Sequence, residues 1–512
     1  MDYLINCVTE NLIINMRNLL IYLGLGFFAL ICFAGCQKIE SDPPGEVYES
    51  SLINPSMAEL QEFFEDGYKI IEGSVELNNI NGLTNLRTLR NITEIKGSLT
   101  INNNAGLNTL NGIGKLQKIG GELRISANNQ LSSIEDLNSL QSVGVHISIV
   151  KNSDLLSLKG LENLTSAGGD IFIDNNEKLA EISGFQNLES LEGDLEIKDN
   201  YQLSSLQGFN KLQTIGGILT IDNNKLQNLE GLNALTSIGA DLNLLRNTRF
   251  ESFQGLNNLQ SIAGYINLEE CDLITNLQGL DKLIGIQGGI NIKNCPQLSN
   301  LQGMDAMESF AGNIIVEECN AIADLKGLEN LNSLGGGIII RYCEQFVSFE
   351  GFNNVSSIGN YLNIYACQSL LNFDKLGNLK SIGGNLSVAK NANLVNFEGL
   401  SGLQSIDGFL SVGTNNNLQN FEGLHNLTSV GDELFIGDNN DLESLEGLNN
   451  IQSVGADLTI KNNNSLADLC GIQNLLTLDG VAGNVLIFDN LFNPTVQDII
   501  DGNCSLSAGF QF

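Results

Sequence analysis

Apolar and polar positions recur along most of the chain in a unit of 24 residues. In the unit that runs from Gly97 to Gly121, the segment Leu99-Thr100-Ile101 alternates apolar and polar side chains, as a short half-buried β-strand does. Apolar residues then follow at every third position, which turns them inward around the rest of one coil: Leu107, Leu110, Ile113, Leu116 and Ile119. The units run from residue 73 to about 490, with a shortened interval before 240 and a lengthened one before 483. This periodicity predicts a β-solenoid of about 18 coils.

One position of the unit holds asparagine or cysteine in nearly every coil. The cysteines are Cys271, Cys295, Cys319, Cys343 and Cys367. The asparagines are Asn104, Asn128, Asn152, Asn176, Asn200, Asn224 and Asn247 before them, and Asn391, Asn415, Asn439, Asn463 and Asn490 after them. This alternation resembles the leucine-rich-repeat consensus, which implies that the side chain turns inward and satisfies backbone groups of its own coil.

The five cysteines invite a metal or redox interpretation as well as a structural one. Equivalent side chains on adjacent parallel strands lie about 4.8 Å apart, which is wider than the Cβ separation of a disulfide. Metal ligands converge on one point, whereas these residues follow a line. We therefore interpret the cysteines as a structural ladder of buried, reduced thiols, and we expect no metal and no cofactor.

Both ends of the solenoid need a cover, because an open coil exposes its core. A capping box over Ser56-Met57-Ala58-Glu59 predicts a short helix, which makes residues 56–72 an N-terminal cap, followed by the solenoid over 73–490. Pro494 suits the first turn of a second helix within a C-terminal cap over 491–512. Cys470 and Cys504 flank this segment as a candidate disulfide, with two buried thiols as the alternative.

The first 35 residues have the composition of an export signal. A positive residue, Arg17, precedes the apolar run Leu19–Phe33. Residues 1–15 do not resemble a signal peptide, which predicts that translation starts at Met16. The ending Phe33-Ala34-Gly35-Cys36 resembles a bacterial lipobox, which implies lipidation of Cys36; a membrane-spanning helix is the alternative. Residues 36–55 then form a flexible tether. Their start, Gln37–Asp42, resembles the signal that exports lipoproteins of Bacteroidetes-type bacteria to the outer face of the outer membrane.

The repeated units I-G-G-x-L-x-I-x-x-N and L-x-G-L-x-x-L-x-x-I resemble the receptor L-domain over residues 56 to about 490. This domain is the leucine-rich module of insulin- and EGF-type receptors, and the resemblance implies a right-handed parallel β-helix, or leucine-rich-repeat-like superhelix. The family binds many ligands and shares no catalytic residues. This chain stacks about three times as many coils, so that the ligands of the receptors are not carried over.

Charge narrows the range of partners. The net charge of −34 disfavours nucleic acid and bare anionic lipid, so that membrane attachment is expected only through a lipid on Cys36. The two histidines, His146 and His425, lie far apart without the spacing of a catalytic or zinc motif. The oligomeric state stays open.

The outward positions of the strands carry mostly small polar residues, except between residues 264 and 412. There they include aromatic, apolar and amide side chains, which suit a sugar ring or a protein hot spot. The candidate ligand-binding residues are Tyr265, Asn267, Asn291, Lys293, Ile315, Ile339, Arg341, Tyr361, Asn363, Tyr365 and Phe409. The alternative is that such residues simply favour strands, and Phe172 and Phe435 occupy the same column elsewhere.

These features favour a non-enzymatic surface protein that presents the solenoid to an extracellular protein or glycan. A structural spacer is the second hypothesis. A polysaccharide-degrading β-helix enzyme is the third, because Glu269, Glu270, Glu317 and Glu318 lie two coils apart, roughly 9–10 Å, near the upper limit for an inverting pair.

Overall fold

The computed structural model describes residues 46–506. The signal segment 1–35, the candidate lipidation site Cys36 and the first half of the tether lie outside the described residues. Within 46–506, no helix is both long enough and apolar enough to cross a bilayer.

The chain folds as a parallel β-solenoid with a period of about 24 residues, in agreement with the apolar periodicity. One strand of each coil pairs in parallel with the equivalent strand of the next coil, and we name this stack the long-strand ladder. Its strands are Leu52–Ile53, Val75–Asn78, Leu99–Asn102, Leu123–Ser126, Ile147–Val150, Ile171–Asp174, Leu195–Lys198, Leu219–Asp222, Leu242–Leu245, Tyr265–Glu269, Gly289–Lys293, Asn313–Glu317, Ile338–Arg341, Leu362–Tyr365, Leu386–Ala389, Leu410–Gly413, Leu434–Gly437, Leu458–Lys461 and Val485–Phe488.

A second stack of two-residue strands runs along the solenoid in three successive parallel sheets. These strands are Val47–Tyr48, Ile70–Ile71, Glu94–Ile95, Lys118–Ile119, Ser142–Val143 and Ser166–Ala167; Ser190–Leu191, Thr214–Ile215, Ser237–Ile238, Ser261–Ile262 and Gly285–Ile286; and Ser309–Phe310, Ser333–Leu334, Ser357–Ile358, Ser381–Ile382, Ser405–Ile406, Ser429–Val430 and Ser453–Val454.

The register of the long-strand ladder reproduces the two irregular intervals of the sequence. Leu219 pairs with Leu242 across the shortened interval, and Leu458 pairs with Val485 across the lengthened one. Both irregularities are absorbed between strands, because the strand residues themselves remain in register.

Pairing begins earlier than the sequence predicts. The sequence places residues 47–53 in the flexible tether, but Val47–Tyr48 pairs with Ile70–Ile71, and Leu52–Ile53 pairs with Val75–Glu76. The prediction of a tether up to residue 55 is therefore wrong for this segment. The physical reason is that the first full coil offers an open strand edge, which even two residues can cover.

The core consists of the inward Leu, Ile and Phe side chains of every coil. It includes a stack of four fully buried rings, Phe349, Phe373, Phe397 and Phe421. The centroids of neighbouring rings are 5.3–5.7 Å apart, and their planes are within 12° of parallel. Each coil thus buries its apolar side chains against the two neighbouring coils, as in other solenoids.

Helices are few. The α-helix Met57–Asp66 begins with the expected capping box, in which the N–H of Glu59 donates to Oγ of Ser56 and the N–H of Ser56 donates to Oε2 of Glu59. The other α-helices are Gln473–Thr477 and Val496–Ile500, and the 3-10 turns are Arg87–Leu89, Glu135–Leu137, Gln207–Phe209 and Cys470–Ile472. Pro494 lies before the last helix and not in its first turn, because Thr495 is the N-cap and forms a second capping box with Asp498.

Two corners of each coil require unusual backbone conformations. The residue that follows each long strand is left-handed although none of these residues is glycine, as at Tyr342 (φ 57°) and Ala366 (φ 57°). Glycine fills another corner, where a Cβ on Gly399 would lie 2.0 Å from the carbonyl oxygen of Phe373. Lys375 takes the glycine position of its own coil, with φ 80°.

Candidate functional site

The asparagines of the repeat join neighbouring coils, and we name the coils that contain them asparagine coils. The backbone N–H of Asn104 donates to Oδ1 of Asn128 (3.0 Å), and Nδ2 of Asn128 donates to the carbonyl oxygens of Ile101 (2.9 Å) and Ser126 (3.0 Å). Asn104 and Ile101 belong to the preceding coil. The expectation that each side chain satisfies only its own coil is therefore too narrow, because one amide links two coils.

The five cysteines of the ladder are free and buried, and we name their coils cysteine coils. A thiol replaces the amide with longer contacts: Sγ of Cys343 donates to the carbonyl oxygens of Val316 (3.7 Å) and Arg341 (3.5 Å). Burial raises the pKa of Cys343 and of Cys367 to about 12. Such thiols stay protonated near neutral pH and are poor nucleophiles and poor metal ligands. No cluster of three or more His, Cys, Asp or Glu in residues 46–506 could hold a metal ion.

Cys470 and Cys504 form a disulfide with a Cα–Cα distance of 4.9 Å. The bond connects the 3-10 turn Cys470–Ile472 to the segment after the last helix, and the N–H of Leu469 donates to the carbonyl oxygen of Cys504 (2.9 Å). It therefore fastens the segment around Cys504 to the last coils of the solenoid.

The eleven candidate residues lie on one outward surface of the long-strand ladder, which we name the central face. All of them except Phe409 belong to cysteine coils. The parallel register arranges them in three columns along the solenoid axis. Tyr265, Tyr361 and Phe409 form the first column; Asn267, Asn291, Ile315, Ile339 and Asn363 form the second; and Lys293, Arg341 and Tyr365 belong to the third.

The first column differs from the same column in other coils. In most other coils the residue just before the strand accepts a hydrogen bond from the next coil, as when the N–H of Asp194 donates to Oδ1 of Asp170 (2.8 Å). From residue 265 to residue 361 the column contains tyrosine, glycine, asparagine, glycine and tyrosine: Tyr265, Gly289, Asn313, Gly337 and Tyr361. Only Asn313 keeps the usual role, accepting from the N–H of Gly337 (2.8 Å).

The two tyrosines lean toward each other over this interval. A Cβ on Gly337 would lie 2.4–2.7 Å from three ring atoms of Tyr361, so that this ring covers the glycine of the preceding coil. A Cβ on Gly288 would lie 2.6 Å from Cδ2 of Tyr265, so that the Tyr265 ring approaches the following coil. Burial raises the pKa of the Tyr361 phenol, and the nearby Tyr265 phenol raises it further.

The second column contains one polar atom without a partner. Oδ1 of Asn363 is buried and accepts no hydrogen bond within the described residues. Asn363 lies between Tyr361 and Tyr365 on the outward side of the same strand. Such an atom is costly to bury unless a ligand or water satisfies it. Further along the column, Nδ2 of Asn267 donates to Oδ1 of Asn243 (2.8 Å), beside a shallow depression of about 210 Å³.

Opposite charges alternate in the third column. Lys293 pairs with Glu269 (3.6 Å), and Arg341 pairs with Glu317 (2.5 Å). The ring of Tyr365 packs edge-on against Tyr342, at a centroid distance of 5.3 Å. The Lys390 ammonium, which lies 5.1 Å from the centroid of Tyr365, lowers the pKa of that phenol through a hydrogen bond.

The carboxylates of the enzyme hypothesis do not face a common cleft. Glu269 and Glu317 take part in the ion pairs of the third column, whereas Glu270 and Glu318 occupy left-handed corners after their strands. Sequence reasoning missed Gly289, Asn313 and Gly337, because glycine was interpreted only as a corner residue. The available signal was the loss of the acceptor side chain that most coils carry at this position.

A family-model match supports the repeat assignment for the first part of the solenoid. Residues 69–190 match the family model of the receptor L domain. Among solved structures, the crystal structure of a TLR13–ssRNA13 complex contains a chain that is 17% identical, with 91% of this chain and 84% of that chain covered and a TM-score of 0.27. No curated protein matches the sequence. The first part of the solenoid is thus similar to a receptor L domain.

Proposed function

We propose that this protein is a non-enzymatic, lipid-anchored protein of the bacterial cell surface whose central face binds an extracellular protein or glycan. A ligand-binding role agrees with the receptor L-domain match and with the leucine-rich-repeat-like solenoid. The lipobox at Phe33–Cys36 and the segment that follows it support anchoring in the outer membrane with the solenoid facing the exterior.

The observation that carries the proposal is the placement of Tyr361. Its half-buried ring lies over Gly337, on the outward surface of a rigid sheet and away from the core. Aromatic rings that point inward stabilise the core of a domain. Aromatic rings that a rigid sheet exposes to solvent can instead bind a ligand. Tyr265, which is 38% exposed, repeats this placement four coils away.

The pairing of the acidic side chains supports a non-enzymatic role. A hydrolase needs a free acid and a free base on either side of its substrate. Glu269 and Glu317 are instead each held by a cation of an adjacent coil. Activity on a polysaccharide that disappears in Glu317→Gln would contradict this part of the proposal.

The proposal can be tested with the full-length protein and two arrays, one of glycans and one of purified extracellular proteins. We expect saturable binding that weakens at least about tenfold in the double variant Tyr361→Ala, Tyr365→Ala. The melting temperature should not change, since both side chains lie outside the core. Phe172→Ala is the matched control, because Phe172 occupies the same ladder outside the central face. Binding that is equally weakened by the control would locate the site elsewhere, and no saturable ligand at all would favour a structural spacer.

A further inference from the structure

The aromatic rings of the first column form a line parallel to the solenoid axis. Tyr265 and Tyr361 are four strands apart and Tyr361 and Phe409 are two strands apart, which places their backbones about 19 Å and about 10 Å from each other. Gly289 and Gly337 keep the surface between the tyrosines low, since neither has a side chain. The result is a shallow, straight track that carries flat rings, with a total length of about 29 Å.

The third column, which lies beside this track, is electrically balanced although the protein is strongly acidic. Within the cysteine coils, the charged side chains of the third column are Glu269, Lys293, Glu317 and Arg341, and they cancel in two ion pairs. Because the chain has a net charge of −34, a basic protein partner would be attracted more strongly to the acidic surface outside this column. A neutral face therefore favours a neutral ligand.

The polar groups beside the track include both hydrogen-bond donors and hydrogen-bond acceptors that have no partner within the described residues. The buried Oδ1 of Asn363 lacks a donor. Nδ2 of Asn313 and the whole side-chain amide of Asn291 have no hydrogen-bond partner in the described part of the chain. Hydroxyl groups can satisfy amide oxygens and amide nitrogens alike, because a hydroxyl has one donor and two acceptor sites.

We propose that the ligand of the central face is a linear, uncharged glycan that lies along the solenoid axis, with sugar rings stacked on Tyr265, Tyr361 and Phe409. This inference rests on the proposed function and names its ligand. Sugar rings have flat apolar faces for the aromatic rings and hydroxyl groups at their edges for the asparagine amides. A compact protein partner would instead favour a deep pocket for a buried anchor residue, whereas the depression beside this track is only about 210 Å³.

The first test measures the affinity of the full-length protein for neutral oligosaccharides of increasing length, namely β-1,4- and α-1,4-linked glucose, mannose and xylose series, with polygalacturonate as the acidic comparison. We expect affinity to rise with length until the oligosaccharide spans the track, and we expect polygalacturonate to bind at least about tenfold more weakly. Tyr265→Ala and Tyr361→Ala should each weaken binding about tenfold, whereas Phe172→Ala should not.

The second test moves one ring without removing it. Gly337→Ala places a methyl group where the Tyr361 ring lies, and the nearest atoms are side-chain atoms of that ring, so that the coil itself can stay intact. We expect Gly337→Ala to weaken glycan binding several-fold in the presence of Tyr361, but to add nothing to Tyr361→Ala in the double variant. Tyr361→Phe keeps the ring and should keep most of the affinity.

The outcomes separate this inference from the proposed function. If a protein or an acidic glycan binds and Tyr361→Ala removes that binding, the neutral-glycan inference is overturned and the binding role of the face survives. If a neutral glycan binds equally well to all the tyrosine variants, both proposals are wrong. Failure of every neutral series to bind also overturns the glycan inference.

Discussion

In the asparagine coils, the corner amide both accepts from and donates to the preceding coil, as Asn128 does with Asn104 and Ile101. In the cysteine coils, a thiol at the same corner makes mostly longer contacts. The hydrogen bonds that join Asn128 to the N–H of Asn104 and to the carbonyl oxygen of Ile101 measure 3.0 and 2.9 Å, whereas the contacts of Cys343 measure 3.5 and 3.7 Å. The backbone does not change, since the preceding residue is left-handed in both regions, at φ 56° in Asn175 and φ 57° in Tyr342.

The comparison teaches that coil shape and coil coupling have separate causes. The inward Leu and Ile side chains and the strand ladder fix the shape in both regions. The amides add strong hydrogen bonds between coils, and in the cysteine coils only long S–H contacts to the preceding coil take their place, as from Cys343 to Val316 (3.7 Å). These same coils carry ten of the eleven residues of the central face, so that the outer surface and the inner corner change together along the chain.

The largest difference should appear when the corner side chain is removed in each region. Asn128→Ala leaves the buried N–H of Asn104 without its acceptor, and we expect the free energy of unfolding to fall by about 3 kcal/mol. Cys319→Ala removes a thiol whose backbone contact, to the carbonyl oxygen of Glu317 (3.2 Å), stays within its own coil, and we expect a loss of about 1 kcal/mol. Urea denaturation of the two variants measures the contrast, and equal losses would show that the amides do not couple the coils.

Raising the pH above 9 should lower the free energy of unfolding through the buried thiols of the cysteine coils. The pKa of Cys343 and of Cys367 is about 12, above the ordinary thiol value of 9.0. Below pH 9 the folded and unfolded chains both keep these protons, and their contribution to stability is fully present. As pH rises from 9 toward 12, the unfolded thiols ionise first, so that stability is lost.

For the two thiols together, this loss should reach about 3 kcal/mol at pH 10. The variant Cys343→Ala, Cys367→Ala should lose correspondingly less stability than the parent protein between pH 8 and pH 10. Urea midpoints at both pH values measure the difference. The ionisation of tyrosines and lysines affects both proteins equally and therefore cancels in the comparison. Parallel pH profiles would mean that the thiols ionise in the folded protein.

A smaller effect is expected when an amide is placed among the thiols. Since the corner backbone is the same, the side chain of Cys319→Asn should reach the preceding coil as Asn128 does, and stability should rise by about 1 kcal/mol. Cys319→Ser, which is similar in size to cysteine but too short to join two coils, is the control. If the free energy of unfolding of Cys319→Asn fell by 2 kcal/mol or more, the corner of a cysteine coil could not accommodate an amide side chain.

The sequence predicted the solenoid well, because every coil repeats the same inward positions. It failed at the first strand, since Leu52–Ile53 shows no full unit and lies beside Pro55 in a segment with tether-like composition. It also failed to show that Asn128 reaches the preceding coil, because spacing alone does not give the direction of a side chain. For the central face, the residue types were visible, whereas the placement of Tyr361 on Gly337 depends on the register between strands.

The smallest expected effect concerns the left-handed corner that both regions share. Asparagine tolerates this conformation better than alanine, because its short polar side chain can form a hydrogen bond with the local backbone. We therefore expect Asn175→Ala to destabilise an asparagine coil, and Ala366→Asn to stabilise a cysteine coil, each by about 0.5–1 kcal/mol. Opposite shifts of similar size in the urea midpoint would show that the corner makes the same conformational demand in both regions. If Asn175→Ala destabilised the protein but Ala366→Asn had no effect, the corner backbone of the cysteine coils would be less restricted than that of the asparagine coils. The two kinds of coil would then not share one corner conformation.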